Sequence, residues 1–402
     1  MCGVTGIVNL SSRQPVPEAW VRRMNASLAH RGPDGDGFHF AEGVGLGHRR
    51  LSIIDLESGK QPLYNEDGSV VVTYNGEIYN FKSLTNELER RGHTFRTRCD
   101  TEVIVHAWEE WGEACVDRFN GMFAFAVWDA NRRCLFLARD RLGIKPLYYA
   151  QLGSGRFAFA SELKAIMTLP ELDRSIDHSA VEDYFAFGYI PDPKTIFASV
   201  KKLEPGHRLL VRHGSDNVLP SSYWDVPLDL PATSEGREDY AGIAADLKAA
   251  VQRRLVADVP LGAFLSGGID SSAVVAMMRD IGVDHLLTCS IGFDEARFDE
   301  SRYALQVAKA KCTDHRWERV EASDYELLDT LGSVYDEPFA DSSAIPTYRV
   351  CQLARKHVTV ALSGDGGDEN FLGYRRYSLF RMEERLRAPL PEPVRRAVFG
   401  PL

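Results

Sequence analysis

Long hydrophobic runs are missing from this chain. No uncharged apolar stretch of the sequence approaches the ~18 residues that cross a bilayer. Met1-Cys2-Gly3-Val4 is not a basic segment leading into an apolar one, so no secretory signal is expected. Cysteine is sparse: seven are scattered at 2, 99, 115, 134, 289, 312 and 351. No CxxC and no His/Cys spacing suggests zinc, and the odd, dispersed set argues for reduced cytoplasmic thiols. Basic blocks are also absent, with Lys plus Arg at 47, Asp plus Glu at 57 and a net charge of −10. Neither nucleic acid nor membrane is therefore expected as a partner. There is no GxxxxGK[ST] loop, internal repeat or low-complexity tract.

What remains is ordinary globular material, 44% hydrophobic and 26% charged over 402 residues. Such a length suits about two or three domains. The first half is rich in β-branched and aromatic runs flanked by turn residues. These predict strands over 45–54, 69–74, 119–128, 134–139, 156–160 and 208–212, with helices over 80–92 and 101–111. The segment 219–239 carries prolines and polar residues and reads as a linker. Beyond it, short apolar runs at 259–265, 286–293 and 358–362 alternate with helical stretches at 240–256, 272–278 and 300–311. This alternation predicts a parallel, doubly wound sheet, in which ligands bind at the carboxyl ends of strands.

Cys2 becomes the first residue once Met1 is removed. Its thiol then sits beside its own α-amine, whose pKa of about 8 lets it serve as a base. Other blocks accompany it: His30-Arg31-Gly32-Pro33-Asp34-Gly35, Gly47-His48-Arg49-Arg50, Tyr74-Asn75-Gly76-Glu77 and Asp100-Thr101-Glu102. Asn75 and the Gly76 amide at a strand end could form an oxyanion hole, although Asn-Gly is most often a hairpin turn. Together with Asp140-Arg141-Leu142-Gly143-Ile144-Lys145-Pro146 and Ala160-Ser161-Glu162-Leu163-Lys164, this order resembles the N-terminal-nucleophile glutaminase domain of class II amidotransferases. The resemblance covers 2–212 and implies a layered α/β/β/α sandwich. It implies Cys2 as nucleophile and Asn75 and Gly76 as oxyanion donors. Arg50 would meet the glutamine α-carboxylate, and Glu77 and Asp100 its α-ammonium.

In the second half, Leu265-Ser266-Gly267-Gly268-Ile269-Asp270-Ser271-Ser272 joins an apolar run to a helix. Small residues there expose amides and hydroxyls at a helix start, a cradle for phosphate. The string resembles the pyrophosphate loop of ATP-pyrophosphatases, and Leu362-Ser363-Gly364-Asp365-Gly366-Gly367 resembles their second glycine loop. The resemblance implies that Leu265, Ser266, Gly267, Gly268, Asp270, Ser271, Ser272, Ile291, Ser363 and Gly364 bind ATP. It implies that Asp270 holds Mg2+ and that Asp365, often Glu in the family, is catalytic. The stretch Asp336-Glu337-Pro338 through Pro346 either lines an acceptor site or is a polar loop capping a helix.

Both halves in this order resemble the glutamine-dependent asparagine synthetase family, with 240–402 as the ATP-pyrophosphatase domain. The family reaction implies ATP, aspartate and glutamine as substrates, ammonia passed between sites, and often a homodimer. Gly366-Gly367-Asp368-Glu369-Asn370-Phe371-Leu372-Gly373-Tyr374 resembles an exopolysaccharide-associated branch. In that branch the acceptor would be a sugar carboxylate. Family members continue past this chain's last residue, so a shortened second domain with exposed apolar surface is expected. An uncoupled glutaminase is the remaining alternative.

Overall fold

The computed structural model describes all residues except 215–217, 228–239, 296, 298, 321–326 and 400–402. Most of the expected 219–239 linker and the last residues therefore lie outside the description. The chain forms two compact units. The first comprises Met1–Tyr240, Arg253–Val259 and Asp324–Thr347; the second comprises Ala241–Gln252, Pro260–Ser323 and Tyr348–Leu402. No helix among the described residues is long and apolar enough to cross a membrane.

The first unit holds β1 (Gly3–Asn9), β2 (Gly35–Ala41), β3 (Val44–Arg50), β4 (Leu63–Tyr64), β5 (Val70–Ile78) and β6 (Gly121–Asp129). It continues with β7 (Cys134–Arg139), β8 (Tyr148–Leu152), β9 (Arg156–Ala160), β10 (Val200–Lys202), β11 (His207–Arg212) and β12 (Ser221–Ser222). They form two antiparallel six-stranded sheets, ordered β10-β8-β9-β1-β3-β2 and β12-β11-β7-β6-β5-β4. Between the sheets, Val4, Val8 and Leu46 meet Val71, Ala124, Ala126, Leu135 and Leu137. Outside the first sheet, Val21 and Met24 of the Glu18–Ser27 helix and Leu28 at its C-cap pack with Leu163 and Ile166 beneath Ile7 and Ala158. Outside the second, Leu84, Leu88, Val103, Ile104 and Ala107 cover Val72, Phe123 and Phe125. Three apolar layers thus separate four structural layers: the expected α/β/β/α sandwich.

The differences from the sequence reading are local. β1 is buried at every position and carries two glycines, so it shows no alternation and escaped notice. The strand expected over 45–54 stops at Arg50, because the guanidinium of Arg50 curls the following loop back by taking its carbonyls. Asn75-Gly76 is not a strand end. Both residues lie inside β5, paired with Ala124 and Phe123 of β6.

The second unit contains β13 (Leu261–Phe264), β14 (Leu287–Phe293), β15 (Asp314–Val320) and β16 (Val360–Leu362). All pairs are parallel, in the order β15-β14-β13-β16. β13 and β14 are successive along one direction, and β16 joins from the other side of β13. The strand order reverses between β13 and β16, which makes that point the switch of a doubly wound sheet. β15 (DHRWERV) was missed because an exposed edge strand needs few apolar residues. The Arg375–Arg387 helix buries no residue and exposes Leu379, Phe380, Met382 and Leu386.

Candidate active site

Cys2 leads into β1, the strand flanked by β9 and β3 in the first sheet. Its thiol is half-buried. The Leu51 N–H reaches Sγ at 3.4 Å, and Sγ lies 3.6 Å from the Leu51 carbonyl. Burial pushes the thiol pKa up; the Leu51 amide opposes that, and the Glu77 and Asp100 charges reinforce it. With Met1 attached, then, the thiol is held protonated. Removing Met1 would supply both exposure and a neighbouring amine. The Arg31 Nε donates to the Cys2 carbonyl at 2.8 Å.

β5 carries the next group. Two hydrogen bonds clamp it against β3 across the sandwich: Thr73 Oγ1 to the Gly47 carbonyl at 3.3 Å and His48 Nε2 to the Tyr74 carbonyl at 3.0 Å. Burial lowers the His48 pKa to about 4, which favours the neutral ring at neutral pH. Asn75 is 1% exposed, yet its Nδ2 donor has no acceptor among the described residues. A buried amide without a partner costs free energy, roughly 1–3 kcal/mol. Such a group is either a flaw or a donor waiting for a ligand. Gly76 leaves no room for a side chain, since a Cβ there would strike the Met122 carbonyl.

Glu77, half-buried, and Asp100, buried, are neighbouring acids that act on each other electrostatically. Asp100 accepts hydrogen bonds from the Tyr74 hydroxyl at 2.7 Å and the Ile78 N–H at 2.9 Å. Burial raises the pKa of both; the charge of Asp100 raises that of Glu77 further, while Lys145 opposes it. Two carboxylates crowded together in low dielectric favour an incoming cation. Lys145 is itself buried, which depresses its pKa, and its charge acts on both Cys2 and Glu77. Its role was missed, although it stands inside the Asp140–Tyr149 block. Arg50 is placed beside this group but committed differently: its guanidinium donates to the carbonyls of Ile54, Asp55 and Leu56 at 3.4, 2.6 and 3.1 Å.

In the second unit both glycine loops leave the strands that flank the switch point. After β13, Gly267 adopts φ +86 and the Ile269–Ile281 helix begins. The Ser266 hydroxyl meets Ser271 Oγ at 2.9 Å and accepts the Gly268 N–H at 3.2 Å, which fixes the turn. Ser272 Oγ is buried without a partner among the described residues. After β16, Ser363 Oγ donates to Asp365 at 3.0 Å. The two loops meet at Asp270. A Cβ on Gly367 would strike the Asp270 carboxyl carbon, and one on Gly364 would lie 2.7 Å from the Ser271 nitrogen. Leu265 is buried and donates its N–H to the Cys289 carbonyl at 2.9 Å, whereas Ile291 lies further along β14 opposite Glu318.

One other cluster could suggest a metal: Glu66, His93 and His106. His106 Nδ1 lies 3.2 Å from Glu109 and 3.8 Å from Glu66, and Nε2 lies 3.7 Å from Glu102. Burial disfavours its charge, but these carboxylates outweigh it and raise the pKa to about 9. The imidazolium is therefore the cation of its own cluster.

Comparison with known proteins agrees with this anatomy. Residues 1–224 match the glutamine amidotransferase domain family, and residues 242–400 match the asparagine synthase family. Asparagine synthetase [glutamine-hydrolyzing] 1 of Bacillus subtilis (strain 168) is 40% identical over 380 residues, covering 94% of this chain and 59% of that protein. Putative asparagine synthetase [glutamine-hydrolyzing] 2 of Methanocaldococcus jannaschii is 41% identical, covering 93% of this chain and 76% of that protein. Asparagine synthetase [glutamine-hydrolyzing] 3 of Bacillus subtilis is 36% identical, covering 93% and 63%. The chain belongs to the glutamine-hydrolysing asparagine synthetase family. It spans about three fifths of the first of these relatives, 59% of its length.

Proposed function

We propose that this chain takes nitrogen from glutamine in its first unit and uses it in the second to convert aspartate to asparagine, with ATP cleaved to AMP and pyrophosphate. The observation that carries the first step is the buried Asn75 Nδ2, without a partner among the described residues, on the strand that also holds Gly76 and Glu77. The Cys2 thiolate attacks the side-chain amide carbon of glutamine, with the α-amine of Cys2 taking the thiol proton. Asn75 Nδ2 and the Gly76 N–H donate hydrogen bonds to the oxygen on which negative charge develops. That proton passes to the leaving nitrogen, ammonia departs, and water later cleaves the thioester to glutamate. The α-ammonium of glutamine is the cation that Glu77 and Asp100 lack. Arg50 turns toward the α-carboxylate by exchanging one of its carbonyl partners.

In the second unit the convergence of both glycine loops on Asp270 supports nucleotide binding. The amides at the start of the Ile269–Ile281 helix and Ser272 Oγ face phosphate. Asp270 would hold Mg2+, an ion that usually takes one or two protein carboxylates and completes its shell with phosphate and water. Once bound, that ion neutralises phosphate charge. A carboxylate of aspartate attacks the α-phosphorus of ATP and releases pyrophosphate. Ammonia then adds to the acyl-adenylate carbon and expels AMP. Asp365, whose carboxylate accepts a hydrogen bond from the Ser363 hydroxyl, would orient that intermediate.

The test supplies ammonium directly, which bypasses Cys2, and measures pyrophosphate release with and without aspartate. Aspartate-dependent release is expected. Release that ignores aspartate but responds to another carboxylate would reassign the acceptor. No release under any condition, beside intact glutamine hydrolysis, would leave only the first unit's chemistry.

A further inference from the structure

Asp336 and Glu337 belong to the sequence matched to asparagine synthase, yet they pack within the first unit. Glu337 is an anchor. It accepts the Ile196 N–H at 2.8 Å and pairs with Lys202 at 2.8 Å. Asp336 has a different connection. Its carboxylate takes the Lys164 N–H at 2.8 Å and lies 3.2 Å from Lys164 Nζ. The same Nζ lies 3.3 Å from Glu162. Glu162 in turn holds Arg31 at 2.6 Å and His30 at 2.9 Å. Arg31 ends the chain by donating Nε to the Cys2 carbonyl at 2.8 Å.

These links are shielded: the side chains of Arg31, Asp336 and Glu162 are 6%, 8% and 15% exposed. Charge-assisted hydrogen bonds are stronger and more directional in such surroundings than in water. Lys164 Nζ is shared between two carboxylates and the Ser333 carbonyl, which it reaches at 2.8 Å. Neutralising Asp336 would throw that ammonium onto Glu162, whose oxygens already serve Arg31 and His30. The grip of Arg31 on the Cys2 backbone would slacken.

We propose that Asp336 and Lys164 are positioning residues for Cys2, acting through Glu162 and Arg31 to hold the nucleophile in register. The proposal rests on the reading of Cys2 as the glutaminase nucleophile. Two readouts keep the two ideas apart. One is steady-state glutamine hydrolysis by the full chain. The other is the rate at which iodoacetamide alkylates Cys2, followed by peptide mass mapping, which needs no turnover.

D336N should lower kcat for glutamine about three- to tenfold with KM little changed, and shift the alkylation rate by a similar factor. D336E should restore both. E337Q loosens the same segment without touching the chain to Cys2, and should leave both at the wild-type level. The double variant D336N/K164M should be no worse than its more affected single variant, because both break one chain of contacts. The proposal is overturned if D336N matches wild type, or if D336N and E337Q fall together, the mark of general packing. If wild type hydrolyses no glutamine, the functional reading fails, and the alkylation rates still decide the relay.

Discussion

The two units build their sites in opposite ways. The first assembles buried and half-buried side chains from distant parts of the chain: Cys2, Arg31, Asn75, Glu77, Asp100 and Lys145. It tolerates an unpartnered donor and two neighbouring acids, arrangements that cost stability until a ligand arrives. The second gathers its candidate residues on turns at strand ends, where backbone amides and a helix start come together with few long-range contacts. A site of the first kind is selective because it is unfinished without its substrate. A site of the second kind, read as a phosphate cradle, would accept any group that presents phosphate, and its selectivity must come from elsewhere.

Breaking one site at a time tests that contrast. The largest effect should come from N75A, which removes the proposed oxyanion donor. Loss of one such donor costs roughly 10²- to 10³-fold in kcat. Glutamine-dependent amide formation should fall by that factor while ammonium-dependent formation is unchanged. A parallel fall in both would mean that Asn75 serves the fold. Next is G367A, whose Cβ would strike the Asp270 carboxyl. Use of ATP should weaken by about tenfold or more, the scale of a lost charged contact, while glutamine hydrolysis stays at its wild-type rate. Binding isotherms with ATP check the first half of that statement.

E77Q should produce a smaller and mixed result. Removing one of two crowded acids weakens the hold on the α-ammonium, raising KM for glutamine by about tenfold. It also relieves repulsion that raises the Glu77 pKa, so Tm should rise. A variant that loses both affinity and stability would show that the acids are not strained.

The smallest effect concerns pH. His106 has its pKa raised to about 9 by carboxylates, so its contribution is complete below about 6.5 and is lost as pH climbs through 9. His48 is depressed to about 4 by burial, so its contribution holds above about 6.5 and fades as pH falls toward 4. Denaturant titrations across pH should show H106Q flattening the alkaline limb alone. An unchanged alkaline limb would mean that His106 is not charged in the native state.

Much was legible in the residues. The glycine loops, the alternation of apolar runs with helices and the strands at 134–139 and 156–160 could be read because each rests on local periodicity or on turn chemistry. Asn75-Gly76 misled for the same reason: as a dipeptide it signals a turn, and only pairing with Ala124 and Phe123 keeps it extended. β1 hid because a strand buried on both faces has no alternation. Lys145 and Glu162 stood inside recognisable blocks, but their parts depend on what burial and neighbours do to charge.

The residues alone carried the two kinds of layer, the candidate nucleophile and the candidate phosphate loops, all properties of neighbours along the chain. Tertiary structure decided the rest. It placed the acids of 77 and 100 together, orphaned the Asn75 amide, brought Asp270 against Gly367, and carried Asp336 into the first unit. The reason is physical. Propensity and spacing act over a few residues, whereas desolvation and Coulomb interactions depend on distances that folding alone sets.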